Sequence, residues 1–186
     1  MATRVFSEEE LVQLRGFPEI TRDELIRFFT LTAADRAFVD PGRGRSPRER
    51  LGLAVQLCTL AWLGFVPDDV TAAPPAAVGR LADQLHLGAG VVAGYGEREQ
   101  TRTDHLRLVL QYSGWRLPRS LENKELEEFL LARVMEHDSQ SLLFGLACEH
   151  LRTSQLVRPG VVRLIEGSPR REPERNGKPT IDWPTC

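Results

Sequence analysis

Three features of the 186-residue sequence predict an all-α fold: a multi-helix bundle around one central buried helix, about 47–63. Ser or Thr stands three residues before Glu at Ser7–Glu10, Thr21–Glu24 and Ser46–Glu49, the pattern of a helix-capping box. Between Leu51 and Leu63 the only polar side chains are Gln56 and Thr59, so a helix there is apolar on every side and must be surrounded. No segment alternates between apolar and polar residues for long enough to make a strand.

In chain order, Ser7 opens a short helix through Leu11 and Leu14 that stops at Gly16. Thr21 opens a second, with Leu25, Ile26, Phe28 and Phe29 on its apolar side. Thr32 caps a third, Ala33 to Val39. The loop Asp40–Ser46 follows, and Ser46, Pro47 and Glu49 start the central helix, which Gly64 ends. Its apolar run is shorter than the ~20 residues a bilayer requires. A Pro/Ala-rich connector, 67–75, marks a point where the helical domain, 1–166, could subdivide. Val78, Leu81, Ala82 and Leu85 then set a helix over Ala76–Leu87 that ends at Gly88. Gly88–Gly96 reads as a short helix or turn. Leu106, Val109 and Leu110 mark the next helix, closed by Gly114, with a weaker cap signal at Thr101–Asp104.

Ser120 begins a helix with an acidic outer face, Glu122, Glu125, Glu127 and Glu128, and an inner face of Leu126, Phe129, Leu130 and Val134. Asp138 caps the next, with Leu142, Leu143, Leu146, Ala147, His150 and Leu151, and a short helix runs from Pro159 to Ile165. The Pro/Arg-rich stretch 167–186 has no period and reads as a disordered tail. Thr21–Val39 and Ala76–Tyr112 each have the outline of a helix-turn-helix unit.

A formal charge of −2 gives no global basic signature, so a nucleic-acid partner would have to meet a local patch. The first residues turn acidic at once and lack the apolar run of a signal peptide. Cys58, Cys148 and Cys186 are too dispersed for a disulfide framework or a zinc site. A cytoplasmic protein with no membrane segment and no cofactor is the expectation. No nucleophile, P-loop or zinc-protease motif occurs. His137, Cys148 and His150 match no metal spacing, and His150 falls on an apolar stripe. No enzyme site is visible.

Two basic clusters remain. Arg43, Arg45, Arg48 and Arg50 occupy the loop and first turn of the central helix, where cations oppose the helix dipole. Phosphate binding, with guanidinium groups joining the helix-start N–H groups, is one reason to keep them there. A solvated loop with an arginine paired to Glu49 is the plainer one. Around the later helix start lie Arg98, Thr101, Arg102, Thr103, His105 and Arg107, whose hydroxyl and imidazole groups suit phosphates or base edges. Glu97, Glu99 and Asp104 offer local ion pairs instead.

Four stretches stand in a specific order: RLGLAVQLCTLAWLGFVP (50–67), YGEREQTRTDHL (95–106), MEHDSQSLLFGLACEHLR (135–152) and LVRPG (156–160). As a set they resemble the N-terminal domain of the Tn-three family of replicative transposases, a domain also catalogued as one of unknown function. The resemblance covers Val5 to Ile165. It implies a helical region that binds the terminal inverted repeats of a transposon as double-stranded DNA. The acidic triad that cuts and joins strands lies, in that family, in a much longer C-terminal part. Nothing in this sequence matches the triad, so no catalytic residue is carried over. In place of further helices the sequence runs into its Pro/Arg-rich tail, which reads as a truncated transposase or a non-functional remnant.

The expected function is therefore non-catalytic recognition of transposon ends in DNA transposition, with the full-length transposase as a second partner. Arg43, Arg45, Arg48, Arg50, Arg98, Arg102 and Arg107 would hold phosphates, and Thr101, Thr103 and His105 would lie near base readout. The alternative is a helical protein-interaction module using the Glu122–Glu128 face or the Trp115 region. Convergence of the two arginine clusters separates them.

Overall fold

The computed structural model describes residues 8–134 and 140–159. Within them are eight α-helices: α1 (Glu8–Arg15), α2 (Arg22–Phe28), α3 (Ala33–Val39), α4 (Pro47–Leu63), α5 (Pro75–Gln84), α6 (Glu99–Ser113), α7 (Ser120–Val134) and α8 (Gln140–Thr153). Two 3-10 turns, Val70–Ala72 and Ala89–Gly94, link α4 to α5 and α5 to α6. Extended pairing among the described residues is limited to a parallel bridge between Arg116 and Leu156. The all-α expectation holds. The caps expected at Ser7 and Asp138, the final helix beyond Pro159 and the tail lie outside the described residues.

The central helix is α4. Glu49 accepts the Ser46 backbone N–H at 2.7 Å while the Ser46 hydroxyl accepts the Glu49 N–H at 3.4 Å, and Gly64 ends the helix at φ +77°. Every residue from Leu51 to Leu60 is buried. Around it gather Phe29, Leu31 and Val39 from the α2–α3 region, Ala77, Val78, Leu81 and Ala82 from α5, Val92 and Tyr95, and Val109 of α6. Each large side chain taken fully out of water contributes ~1.5–3 kcal/mol, which is why an all-apolar helix dictates a centre. The connector's Val70 and Ala73 join the same core, so helices on both sides of it share one interior.

Several expectations are corrected. Ile26 is 49% exposed: in so short a helix Leu25 and Phe29, four apart, take the inner face and turn Ile26 outward. Helix α5 stops at Gln84, before Gly88, because His86 takes the left-handed conformation (φ +55°) and the Leu87 N–H reaches back to Ala82 O at 2.9 Å. Helix α6 begins at Glu99 with Arg98 at its N-cap and no side-chain cap, so Thr101 sits inside it. Trp115 is buried against Gly64 and cannot serve as a contact surface. Glu122 leaves the acidic face, pairing with Arg116 and accepting the Arg119 N–H at 2.8 Å.

A smaller core joins α7 to α8 through Leu126, Ala147, Leu151 and Leu156. Arg158 ties it to the rest. Its N–H donates to Gly64 O at 2.8 Å, its guanidinium donates to Leu14 O, and the same group lies 3.6 Å from the centre of the Phe65 ring.

Candidate nucleic-acid interface

The loop before α4 is shaped from within. Asp40 accepts the Gly42 N–H at 3.2 Å, and Gly42 and Gly44 take φ of +79° and +83°, a region that side chains resist. Arg45 folds back to donate to Phe38 O and Val39 O, the closing carbonyls of α3, and stands 5.5 Å from the Phe38 ring. Phe38 stacks in turn on Tyr112 of α6 (centroids 4.0 Å apart, planes within 6°), and the Tyr112 hydroxyl donates to Asp35 at 2.9 Å. Arg50 pairs with Asp40, whose carboxyl is held below the usual range by that contact. Arg45 and Arg50 thus have guanidinium donors committed inside the fold.

Arg48 spans the two clusters. Its guanidinium donates to Gly94 O at 3.3 Å and to Glu97 at 3.4 Å, on the segment that leads into α6. Arg98 follows at once, exposed, and Arg43 is exposed on the loop; neither side chain has an ion pair or hydrogen bond among the described residues. Arg102, half-buried, donates to Asp68 O. Arg107, exposed, pairs with Asp104 at 3.0 Å. Arg48, Arg98 and Arg102 therefore come to one region around Gly94–Arg98, while Arg50 turns to Asp40 at the start of the loop.

Behind that region lies a packed seam. Tyr95 lies on Gly52, where a Cβ would come within 2.1 Å of the ring. The Tyr95 hydroxyl and His105 Nδ1 share a hydrogen bond of 2.9 Å. Gln56 of α4 donates to Arg102 O at 3.2 Å. His105 is only 7% exposed. Burial first, and the Arg45 cation second, hold its imidazole below the ordinary range, against the pull of Glu49 and Asp104. Burial pushes the Tyr95 hydroxyl up. Thr101 and Thr103 are half-buried on the flanks of α6.

The outward face of α6 carries Gln100, Asp104, Arg107, Leu108 and Gln111. Sequence reasoning, centred on the charged and hydroxyl groups of Arg98–Arg107, singled out neither Gln100 nor Gln111. Their place follows from the burial of His105 and Val109, which turns the opposite side of the helix to solvent.

No group of three or more His, Cys, Asp or Glu among the described residues could hold a metal ion. His150 packs on Phe129, ring centres 4.5 Å apart, and Cys148 sits beside Arg158; His137 lies outside the described residues. A recess of about 360 Å³ between the α4–α5 connector and residues 93–97 mixes Asp68, Asp69 and Glu97 with Arg102. No helix among the described residues is long and apolar enough to cross a membrane.

Known proteins place this arrangement in a context. The transposase for transposon Tn21 of Escherichia coli is 30% identical over 157 residues, 84% of this chain and 16% of the relative. The transposase for transposon Tn501 of Pseudomonas aeruginosa is 31% identical over 160 residues, with the same shares of 84% and 16%. The transposase for transposon gamma-delta of Escherichia coli (strain K12) is 32% identical over 148 residues, 76% of this chain and 14% of the relative. The chain thus spans about a sixth of the length of the relatives it matches, and the resemblance to Tn-three family transposases is borne out. Residues 5–167 match the family described as Domain of unknown function (DUF4158), and with most of its length inside that match the chain belongs to this family.

Proposed function

We propose that this chain is a non-catalytic DNA-binding region of a Tn-three family transposase that recognises the terminal inverted repeats of a transposon. The observation that carries the reading is Arg48 bridging the start of α4 to the approach of α6, with Arg43 and Arg98 exposed and unengaged nearby among the described residues. Unengaged arginines on a loop and at a helix start suit a phosphate backbone, because each phosphate neutralised releases bound counterions. The relatives' common description as transposases supports the same partner. Arg45 and Arg50 shape the loop. His105 serves from behind the surface, bonded to Tyr95 in the packed seam, while Thr101 and Thr103 remain on the flanks of α6 beside the basic region.

The test is a titration of the purified chain on a duplex carrying its element's terminal repeat and on a shuffled duplex, across a salt series. A preference for the repeat is expected. Arg43→Ala and Arg98→Ala should each weaken both duplexes alike and flatten the salt slope by ~1. Equal affinity for the two duplexes sinks sequence-specific recognition.

A helical protein-interaction module has one observation in its favour. Leu121 and Leu131 of α7 are 65% and 66% exposed beside the acidic Glu125, Glu127 and Glu128. Co-purification with a full-length transposase, abolished by Leu121→Glu with Leu131→Glu, would support that contact. Retention of binding by the double variant would remove it.

A further inference from the structure

We infer that the outward stripe of α6, with Arg107 and Gln111 at its centre, reads base edges in the major groove of the DNA that the neighbouring arginines hold; this rests on the DNA-binding reading above. The stripe follows from the helix's burial. His105 and Val109 face the core, and Arg102, Leu106 and Ser113 flank them half-buried. At 100° per residue, Gln100, Asp104, Arg107 and Gln111 must then share the opposite face, with Leu108 at its margin.

Their chemistry matches the major-groove edge. An arginine can address guanine O6 and N7, a glutamine can address adenine N6 and N7, and an apolar side chain can meet a thymine methyl. Leu108 is 38% exposed, an apolar group with no place in the core. From Gln100 to Gln111 the stripe extends ~16 Å, enough to follow a groove ~12 Å wide over several base pairs.

The one carboxylate on the stripe is already engaged. Asp104 accepts from Gln100 Nε2 at 2.9 Å and from Arg107 at 3.0 Å. The bond from Arg107 also lowers its freedom before DNA arrives, since an aimed side chain has less rotamer entropy to lose on binding. Helices α7 and α5 suit DNA less well. Helix α7 turns Glu125, Glu127 and Glu128 to solvent, which repels phosphate, and the outer side of α5 offers Ala76 and Asp83.

The distinguishing experiment is selection from a duplex pool with a randomised core, applied to the full chain and to Arg107→Ala, Gln111→Ala and Arg98→Ala. Circular dichroism verifies that each variant folds. The unaltered chain is expected to enrich a motif. Arg107→Ala and Gln111→Ala should each lose preference at one or two positions, on the order of tenfold, and keep the rest of the motif. Arg98→Ala should bind more weakly yet enrich the same motif. If Arg107→Ala and Gln111→Ala return the unaltered motif at every position, α6 does not read bases, and the DNA-binding reading survives without it. If the unaltered chain enriches nothing, sequence-specific recognition itself is overturned, and this assignment with it.

Discussion

At the scale of single residues, the seam behind the basic region sets the tightest requirement. Gly52 has no side chain because the Tyr95 ring occupies its place, with ring carbons 2.1 to 2.3 Å from where a Cβ would sit. Gly52→Ala should push that ring off α4 and cost ~1–3 kcal/mol, read as a lower midpoint in urea unfolding. The same seam makes His105 a source of pH dependence. Its folded pKa lies below its unfolded one, so as pH falls below ~6.5 the unfolded chain takes up the proton first. Stability therefore stays level above that value and declines below it. His105→Asn, which keeps a polar atom for Tyr95 but does not titrate, should flatten the decline in melting temperature between about pH 6.5 and 5. Glu24, Asp35 and Glu49 have lowered pKa values in the folded chain, so their loss begins only below ~4.5 and should persist in the variant.

At the scale of elements, caps differ by what else they touch. Thr21, Thr32 and Ser46 each complete a capping box, and removing such a hydroxyl costs ~0.5–2 kcal/mol. Glu24 closes its box and also accepts the Trp62 indole N–H at 3.1 Å, joining α2 to the end of α4. Trp62 is buried, so Glu24→Ala strands a donor as well as opening the cap. It should destabilise the chain by ~1–3 kcal/mol more than Thr21→Ala, measured by parallel denaturant titrations. The caps themselves were readable from residue spacing. The second contact of Glu24 was not, since Trp62 is remote in sequence and meets it only through packing.

At the scale of the whole molecule, α2 to α6 share a large interior built on α4, while α7 and α8 rely on Leu126, Ala147, Leu151 and Leu156. Less buried apolar area means a lower local free energy of opening. Native-state hydrogen exchange should show the amides of α7 and α8 exchanging through openings that leave α4 protected. Arg158→Met, which breaks the link from the α8 side to Leu14 and Phe65, should widen that gap. Exchange of α4 and α8 at one common free energy would indicate a single cooperative unit.

What the sequence determined by itself was local or periodic. The apolar run at Leu51–Leu60 required a central helix, capping residues placed the starts of α2, α3 and α4, and the absence of period-two alternation pointed away from a sheet. The four ordered stretches also carried the family. Only the tertiary structure decided which arginines remain available. Arg43 and Arg50 look equivalent in sequence, yet Arg50 meets Asp40 and Arg43 meets no partner among the described residues. Likewise the rotation of α6 was settled by packing: once His105 met Tyr95 and Val109 entered the core, the exposed side could only be that of Gln100, Arg107 and Gln111. A guanidinium's partner and a helix's phase depend on side chains distant along the chain, so neither follows from spacing.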